Sequence, residues 1–262
     1  MATIDRKRQA LPIMGVPVLP FESYADAVNY VESIISSGRQ AHCVAVNPEK
    51  VYRAARDPRL LSVLRGADVG ICDGIGVAFA ARMLYGKRIR RCTGCDLFLH
   101  LIARAAERGW RVFLLGGSAE ANAGACHALM RMHPDLLIVG RRDGYFTGWQ
   151  PVVEQINRSR ADVLFVALGS PKQEFWIARH RAAISARFCM GVGGSFDVVS
   201  GKAKRAPRIF RRTGTEFLYR LLSQPGRWRR QVALPLFLLS VAQERLSGRG
   251  CAARPPRAAQ AR

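Results

Sequence analysis

Six short apolar, β-branched runs recur along the first 200 residues, separated by segments of helical periodicity, and this alternation limits what the chain can become. The runs are 42–46 (HCVAV), 68–72 (DVGIC), 111–116 (RVFLLG), 136–140 (LLIVG), 162–169 (DVLFVALG) and 188–193 (FCMGVG). Helical stretches fall near 22–37, 49–65, 75–85, 95–108, 119–132, 149–159 and 172–185. Strands alternating with helices specify a mostly parallel sheet with crossover helices. Runs that are apolar on both sides fit a sheet covered on both faces. The expected fold class is therefore α/β and Rossmann-like, with helices on both faces of the sheet.

The pattern changes after Ser200. No further strand follows; two basic, partly amphipathic stretches do, KAKRAPRIFRRTGTEFLYRLL and RWRRQVALPLFLLSVAQERL, separated by SQPG. The expected organisation is a Rossmann-like core over 1–200, a basic helical appendage over 201–247, and a low-complexity, disordered tail over 248–262. From Lys202 onward there are 15 Lys/Arg against 2 acidic residues, so +13 of the net +22 lies in the last 61 positions. Such a segment calls for an anionic partner: nucleic acid, an acidic membrane surface or a phosphorylated substrate. Nucleic acid fits least, because the basic residues lack interleaved aromatic platforms and no binding module is recognisable.

Arg227, Arg229 and Arg230 with Trp228, followed by the apolar stretch 232–242, have the composition of an anchor lying on an anionic membrane surface. No run reaches the roughly 20 apolar residues needed to span a bilayer. The stretch 232–242 is short and holds Pro235, so it is expected to dip into a membrane without crossing it. The 7 cysteines are an odd number scattered through apolar runs. They are expected to be buried small hydrophobes in a reducing compartment rather than a disulfide framework. The N-terminus lacks the long apolar run of a signal peptide.

Ligands of open α/β sheets bind outside the carboxyl ends of the strands, and polar or glycine-rich residues follow five of the six runs. Asn47-Pro48-Glu49 follows the first and Asp73-Gly74-Ile75-Gly76 the second. Gly116-Gly117-Ser118 follows the third, Ser170 to Glu174 the fifth, and Gly193-Gly194-Ser195-Phe196-Asp197 the sixth. Any one of these could merely turn a strand into a helix and cap it; five at one sheet edge argue for a site. Gly116 and Gly117 suit phosphate binding through backbone N–H groups. GGSAEA is not a dinucleotide fingerprint, because its third glycine is missing, and no Walker lysine pattern occurs. That leaves nucleotide-sugar enzymes as a class and counts against a nicotinamide oxidoreductase.

Asp73 is the candidate general base, with helix capping as its structural alternative. Cys92 and Cys95 form a C-x-x-C with no second pair and no nearby histidine, so no metal site is expected. Within the fifth loop, Gln173 is expected to point into the pocket as a neutral hydrogen-bonding group for sugar or phosphate. Lys172 and Glu174 read as flanks of the following helix.

Several segments together resemble the WecG/TagA/CpsF glycosyltransferases: NPEKV, CDGIGVAFAARMLYG, RCTGCD, VFLLGGS, GRRDGYF, ALGSPKQEFW, GVGGSFDVVSGKAKRAP and EFLYRL. The resemblance covers roughly 12–245 and is strongest for a glucose-transferring, exopolysaccharide-type branch. It implies an inverting, metal-independent transferase without a cofactor, working at the cytoplasmic face of the bacterial inner membrane as a peripheral protein. Such an enzyme moves a sugar, here expected to be glucose, from a UDP-sugar to a polyprenyl-diphosphate-linked saccharide. N-acetylmannosamine or its uronic acid is the alternative within the family, and a homo-oligomer is left open.

By the same resemblance Asp73 is the catalytic base, and Arg220, Arg227 and Arg230 close over the diphosphate. These arginines are spaced i, i+7 and i+10, although SQPG at 223–226 interrupts any continuous helix face. Asn47, Arg91, Thr93, Gly116, Gly117, Gln173, Gly194 and Asp197 are the expected substrate-binding residues. Ala45 stands where some members carry a threonine, which bears on the sugar recognised more than on the reaction.

Overall fold

The computed structural model describes residues 9–213, 216, 219 and 233–247. All six expected strands are present and form a single parallel sheet. Their labels follow a short hairpin, β1 (Leu11–Ile13) and β2 (Val16–Val18), which the sequence pattern did not indicate. The sheet strands are β3 (Ala41–Val46), β4 (Val69–Cys72), β5 (Arg111–Gly116), β6 (Leu137–Arg142), β7 (Val163–Ala167) and β8 (Phe188–Gly191). Their spatial order is β4-β3-β8-β7-β5-β6, every neighbouring pair parallel. The hairpin lies tight against β4, where Leu19 N donates to Gly70 O at 2.8 Å.

Strands β3, β4, β7 and β8 are buried along their whole length. β6 departs from the expectation of a doubly covered sheet. It is an edge strand, and Leu137 is 49% exposed.

The helices are α1 (Tyr24–Ser36), α2 (Pro48–Ala54), α3 (Pro58–Arg65), α4 (Ile75–Tyr85), α5 (Gly94–Arg108) and α6 (Ala119–Met132). They continue with α7 (Gln150–Arg158), α8 (Lys172–His180), α9 (Ser195–Val199), α10 (Arg208–Thr213) and α11 (Ala233–Leu246). The expected helix over 49–65 is two helices. Pro58 disfavours helical backbone at the residue before it, and Asp57 caps the new start by accepting from the backbone N–H groups of Arg59 and Leu60.

Alternate residues of each strand feed opposite faces. On one face Cys43, Leu114, Phe165 and Phe188 meet Phe98 and Leu101 of α5 and Phe196 of α9. On the other, Val44 and Val46 meet Val51 of α2, Leu60 of α3 and Val77 of α4, while Leu164 and Val166 meet Ile177 of α8.

Helix α11 joins this second face, with Phe237 and Val241 fully buried. The chain beyond 201 is therefore not wholly separate from the core: in the stretch expected to dip into a membrane, Ala233, Phe237 and Val241 are buried and the helix packs on α2 and α4, while Leu239 is 61% exposed. Pro235 sits in the first turn of α11, where a missing backbone N–H is tolerated. Among the described residues no helix is long and apolar enough to cross a membrane. The expected tail over 248–262 lies outside the described residues.

Candidate active site

The carboxyl ends of β3, β4, β5, β7 and β8 open into a cavity of about 940 Å³. The chain leaves β3 for β4 on one side of the sheet and returns to build β5, β6, β7 and β8 on the other. Such a reversal of direction is where open α/β sheets bind ligands. Segment 203–206, Glu216, Tyr219 and Leu234 complete the rim from the C-terminal part of the chain.

Asn47, Asp73, Arg91, Thr93, Gly117, Gln173, Gly194 and Asp197 all line the cavity. Asp73 directly follows β4, and its backbone N–H donates to Val46 O at 2.8 Å. Asn47 caps α2 by accepting from Lys50 N at 2.9 Å. Thr93 caps α5, and its hydroxyl donates to Asp96 Oδ2 at 2.8 Å. Gly116 is not among the lining residues. Its φ is +106°, and a Cβ there would stand 2.5 Å from the Ala167 carbonyl, so the residue serves the close approach of two strand ends. Ser118 next to it caps α6 by accepting from Ala121 N at 3.2 Å. The expected diphosphate arginines Arg220, Arg227 and Arg230 lie outside the described residues.

The fifth loop differs most from its sequence reading. Gln173 reaches the cavity wall but is only 3% exposed, and both ends of its amide are engaged by the protein. Its Nε2 donates to Glu174 Oε1 at 3.0 Å and its Oε1 accepts from Gly193 N at 2.9 Å. Glu174 is not a solvated helix flank. It is 1% exposed and pairs with Lys50, 4% exposed, at 2.7 Å.

Burial alone would raise the Glu174 carboxyl's pKa; the attraction and hydrogen bond of Lys50, then the bond from Gln173, overcome this and hold it below the ordinary carboxylate value. Lys50 Nζ also donates to Ala45 O at 2.7 Å. Charged residues in a helical pattern normally read as a solvated face, and nothing local in NPEK or KQEF distinguishes these two.

Arg205 is a second residue the sequence reading passed over, although it stands in the quoted KAKRAP run. It lines the cavity and forms an ion pair with Asp96 in the first turn of α5. Burial would raise the Asp96 pKa, but hydrogen bonds from Arg205 and Thr93 outweigh it and lower the value. Tyr24 completes the cluster by donating to Asp96 Oδ2 at 3.3 Å, and burial pushes its phenol up to about 12. The buried Nε of Arg205 and the buried Nε1 of Trp176, also a lining residue, have no hydrogen-bond partner among the described residues. Among the described residues no three His, Cys, Asp or Glu side chains come together as a metal-binding set.

Asp73 at the exit of β4, Arg91, the capped start of α5 and the glycine-rich turns thus share one cavity at the carboxyl edge of a Rossmann-like sheet, where such folds bind ligands. The chain belongs to the glycosyl transferase WecG/TagA/CpsF family, whose model matches residues 11–250. It is similar to an N-acetylglucosaminyldiphosphoundecaprenol N-acetyl-β-D-mannosaminyltransferase of Bacillus spizizenii, with 38% identity over 243 residues, 92% of this chain and 94% of the relative. That relative is named for transfer of N-acetylmannosamine, which favours the alternative within the family over the expected glucose-transferring branch.

Proposed function

We propose that the cavity transfers N-acetylmannosamine from a UDP-sugar to a polyprenyl-diphosphate-linked N-acetylglucosamine, with inversion at the anomeric carbon. The reading rests on one observation. Asp73 is the carboxylate at the exit of β4, the strand at one edge of the parallel sheet, on the wall of a cavity of about 940 Å³, in a chain 38% identical over almost its full length to a transferase of that sugar.

In this reading Asp73 takes the proton of the acceptor hydroxyl as that oxygen attacks the anomeric carbon. The bond from carbon to phosphate oxygen breaks, and UDP leaves with the electron pair. The charge growing on the diphosphate is met by guanidinium groups, which bind phosphate oxygens in a fork. Arg91 and Arg205 line the cavity; Arg220, Arg227 and Arg230 belong to the same role. No metal is needed, so turnover should survive a chelator. The acceptor's lipid places the reaction at the cytoplasmic membrane surface, where the basic segment 201–232 meets anionic lipid. Glucose transfer in exopolysaccharide assembly is the weaker reading.

The test supplies UDP-N-acetylmannosamine or UDP-glucose with a short-chain polyprenyl-diphosphate N-acetylglucosamine and measures UDP release. The N-acetylmannosamine donor should be consumed, and Asp73→Asn should lower turnover by about 10²–10⁴ while UDP binding persists. Consumption of the glucose donor alone would overturn the sugar assignment. Near wild-type turnover by Asp73→Asn would remove Asp73 from its role.

A further inference from the structure

Beneath the cavity runs a buried polar chain that the transfer chemistry does not itself require. It starts at Ala45 O, which accepts from Lys50 Nζ, passes through the Lys50–Glu174 ion pair and the Gln173 amide, and ends at Gly193 N. Every link is 2.7–3.0 Å. It joins the exit of β3, the starts of α2 and α8, and the exit of β8.

The Lys50 end bears on Asp73. Lys50 is the third residue of α2, and the first, Pro48, is wedged against the turn that carries Asp73. A Cβ on Gly76 would stand 2.7 Å from Pro48 Cγ, and one on Gly74 3.4 Å from Pro48 Cδ. The backbone of Asp73 is in turn held by Val46, the last residue of β3. On the far side, a Cβ on Gly94 would lie 3.0 Å from Ala45 Cβ and 4.0 Å from Asp73 Oδ2. The Asp73 turn therefore packs against Pro48 of α2 on one side, and its carboxylate faces the start of α5 on the other. Of these, α2 is fixed from below by Lys50. At the other end, Gln173 is pressed onto β8: a Cβ on Gly191 would stand 2.5 Å from its Nε2.

A buried ion pair is weak support for stability, since well-packed apolar residues of similar volume often do as well or better. Its distinctive property is direction. An ammonium with a carbonyl and a carboxylate as partners fixes where its helix stands; a methionine would not.

We propose that Lys50 and Glu174 are positioning residues for the transfer reaction, holding α2, and through Pro48 the Asp73 turn, in register with the floor of the cavity. The inference rests on the assignment of Asp73 as base. Displacement of a reacting group by an ångström can cost about 10²-fold in rate, so loosening this support should lower kcat and leave donor binding nearly unchanged.

The test is the apolar double variant Lys50→Met/Glu174→Met, read in two ways beside the wild type. Thermal stability should equal or exceed that of the wild type. kcat should fall about tenfold or more, with the donor KM within about threefold. Hydrogen exchange of a peptide covering 69–78 should accelerate about fivefold or more, while a peptide over 111–116 stays unchanged. A folded double variant with either kcat or exchange at wild-type values overturns the proposal. If the wild type transfers none of the sugars offered, the functional reading fails and exchange alone decides this one. If the double variant does not fold, Glu174→Gln, which keeps an oxygen for Lys50 but removes the charge, is measured by the same two readouts against the same limits.

Discussion

Removing Lys50 alone should be far more damaging than removing the pair, because it strands a charge. Glu174 is 1% exposed, one of its oxygens is held by Lys50 and Gln173, and the other has no hydrogen-bond partner among the described residues. In Lys50→Met the carboxylate keeps a single amide bond and no counter-charge. Breaking a buried pair from one side costs about 3–5 kcal/mol. For a chain of this size each kcal/mol moves Tm by about 2–4 °C, so a fall of roughly 6–20 °C is expected.

The pH dependence carries a sign that packing loss alone would not. In the wild type the folded Glu174 pKa lies below the ordinary 4.5. Its contribution is therefore present above 4.5 and is lost only as the pH falls through the depressed folded value. In the variant, burial without an ammonium raises the folded pKa above 4.5. The stranded charge then destabilises at neutral pH, and the penalty fades as acid neutralises it. Urea unfolding followed by circular dichroism at pH 7 and pH 5, with linear extrapolation, measures both. The gap between wild type and variant should be about 3–5 kcal/mol at pH 7 and clearly smaller at pH 5. A gap below about 1 kcal/mol at pH 7, the size of an exposed pair, would refute the reasoning, as would an equal gap at both pH values.

Three further outcomes are expected. Phe237→Ala, at a fully buried side chain of α11, should cost about 3–5 kcal/mol in urea unfolding; a loss below about 1 kcal/mol would show that α11 is not part of the core. His42 is buried and its imidazole is pushed down from 6.5 to about 4, chiefly by desolvation. The unfolded chain therefore takes up this proton first, stability falls from pH 6.5 toward pH 4, and His42→Leu should remove about 2–3 kcal/mol of that acid loss. Asn122 is fully buried, and its Nδ2 donates to Leu114 O, Gly116 O and Arg142 O at 3.2, 2.8 and 3.0 Å. Asn122→Ala should cost about 2–3 kcal/mol through unpaired carbonyls and speed hydrogen exchange over 111–116 and 137–142.

The sheet was legible because its strands are apolar on both faces, a pattern that survives without knowledge of neighbours. The hairpin of β1 and β2 was not, since three residues a side and two prolines in PIMGVPV leave no run to detect. The single helix drawn over 49–65 failed at Asp57-Pro58, a cap and a break that a count of apolar spacing overlooks. At the cavity, strand exits brought Asp73, Asn47, Gly117 and Gly194 to one wall, because position along a strand fixes which sheet edge a residue reaches. The partners of those residues stayed hidden. Lys50 and Glu174 lie 124 positions apart, as do other pairs that only folding brings together, and each alone looks like a solvated charge. The bond from Gly193 to Gln173 stayed hidden for the same reason: a backbone N–H leaves no mark on the sequence.

The place of β8 in the sheet also governs how the chain is made. Of the sheet strands it is the last in sequence, and so the last of them to leave the ribosome, yet it stands between β3 and β7. Until residue 191 has emerged, β3 with β4 and β7 with β5 and β6 form two part-sheets, each presenting a bare apolar edge. Exposed edges of this kind invite pairing with other chains, and parallel strands far apart in sequence are slow to find one another. A nascent chain stalled before β8 should therefore depend on chaperones more than the finished protein does. The cavity opens over the joint that β8 closes, so it cannot take shape before β8 is in place.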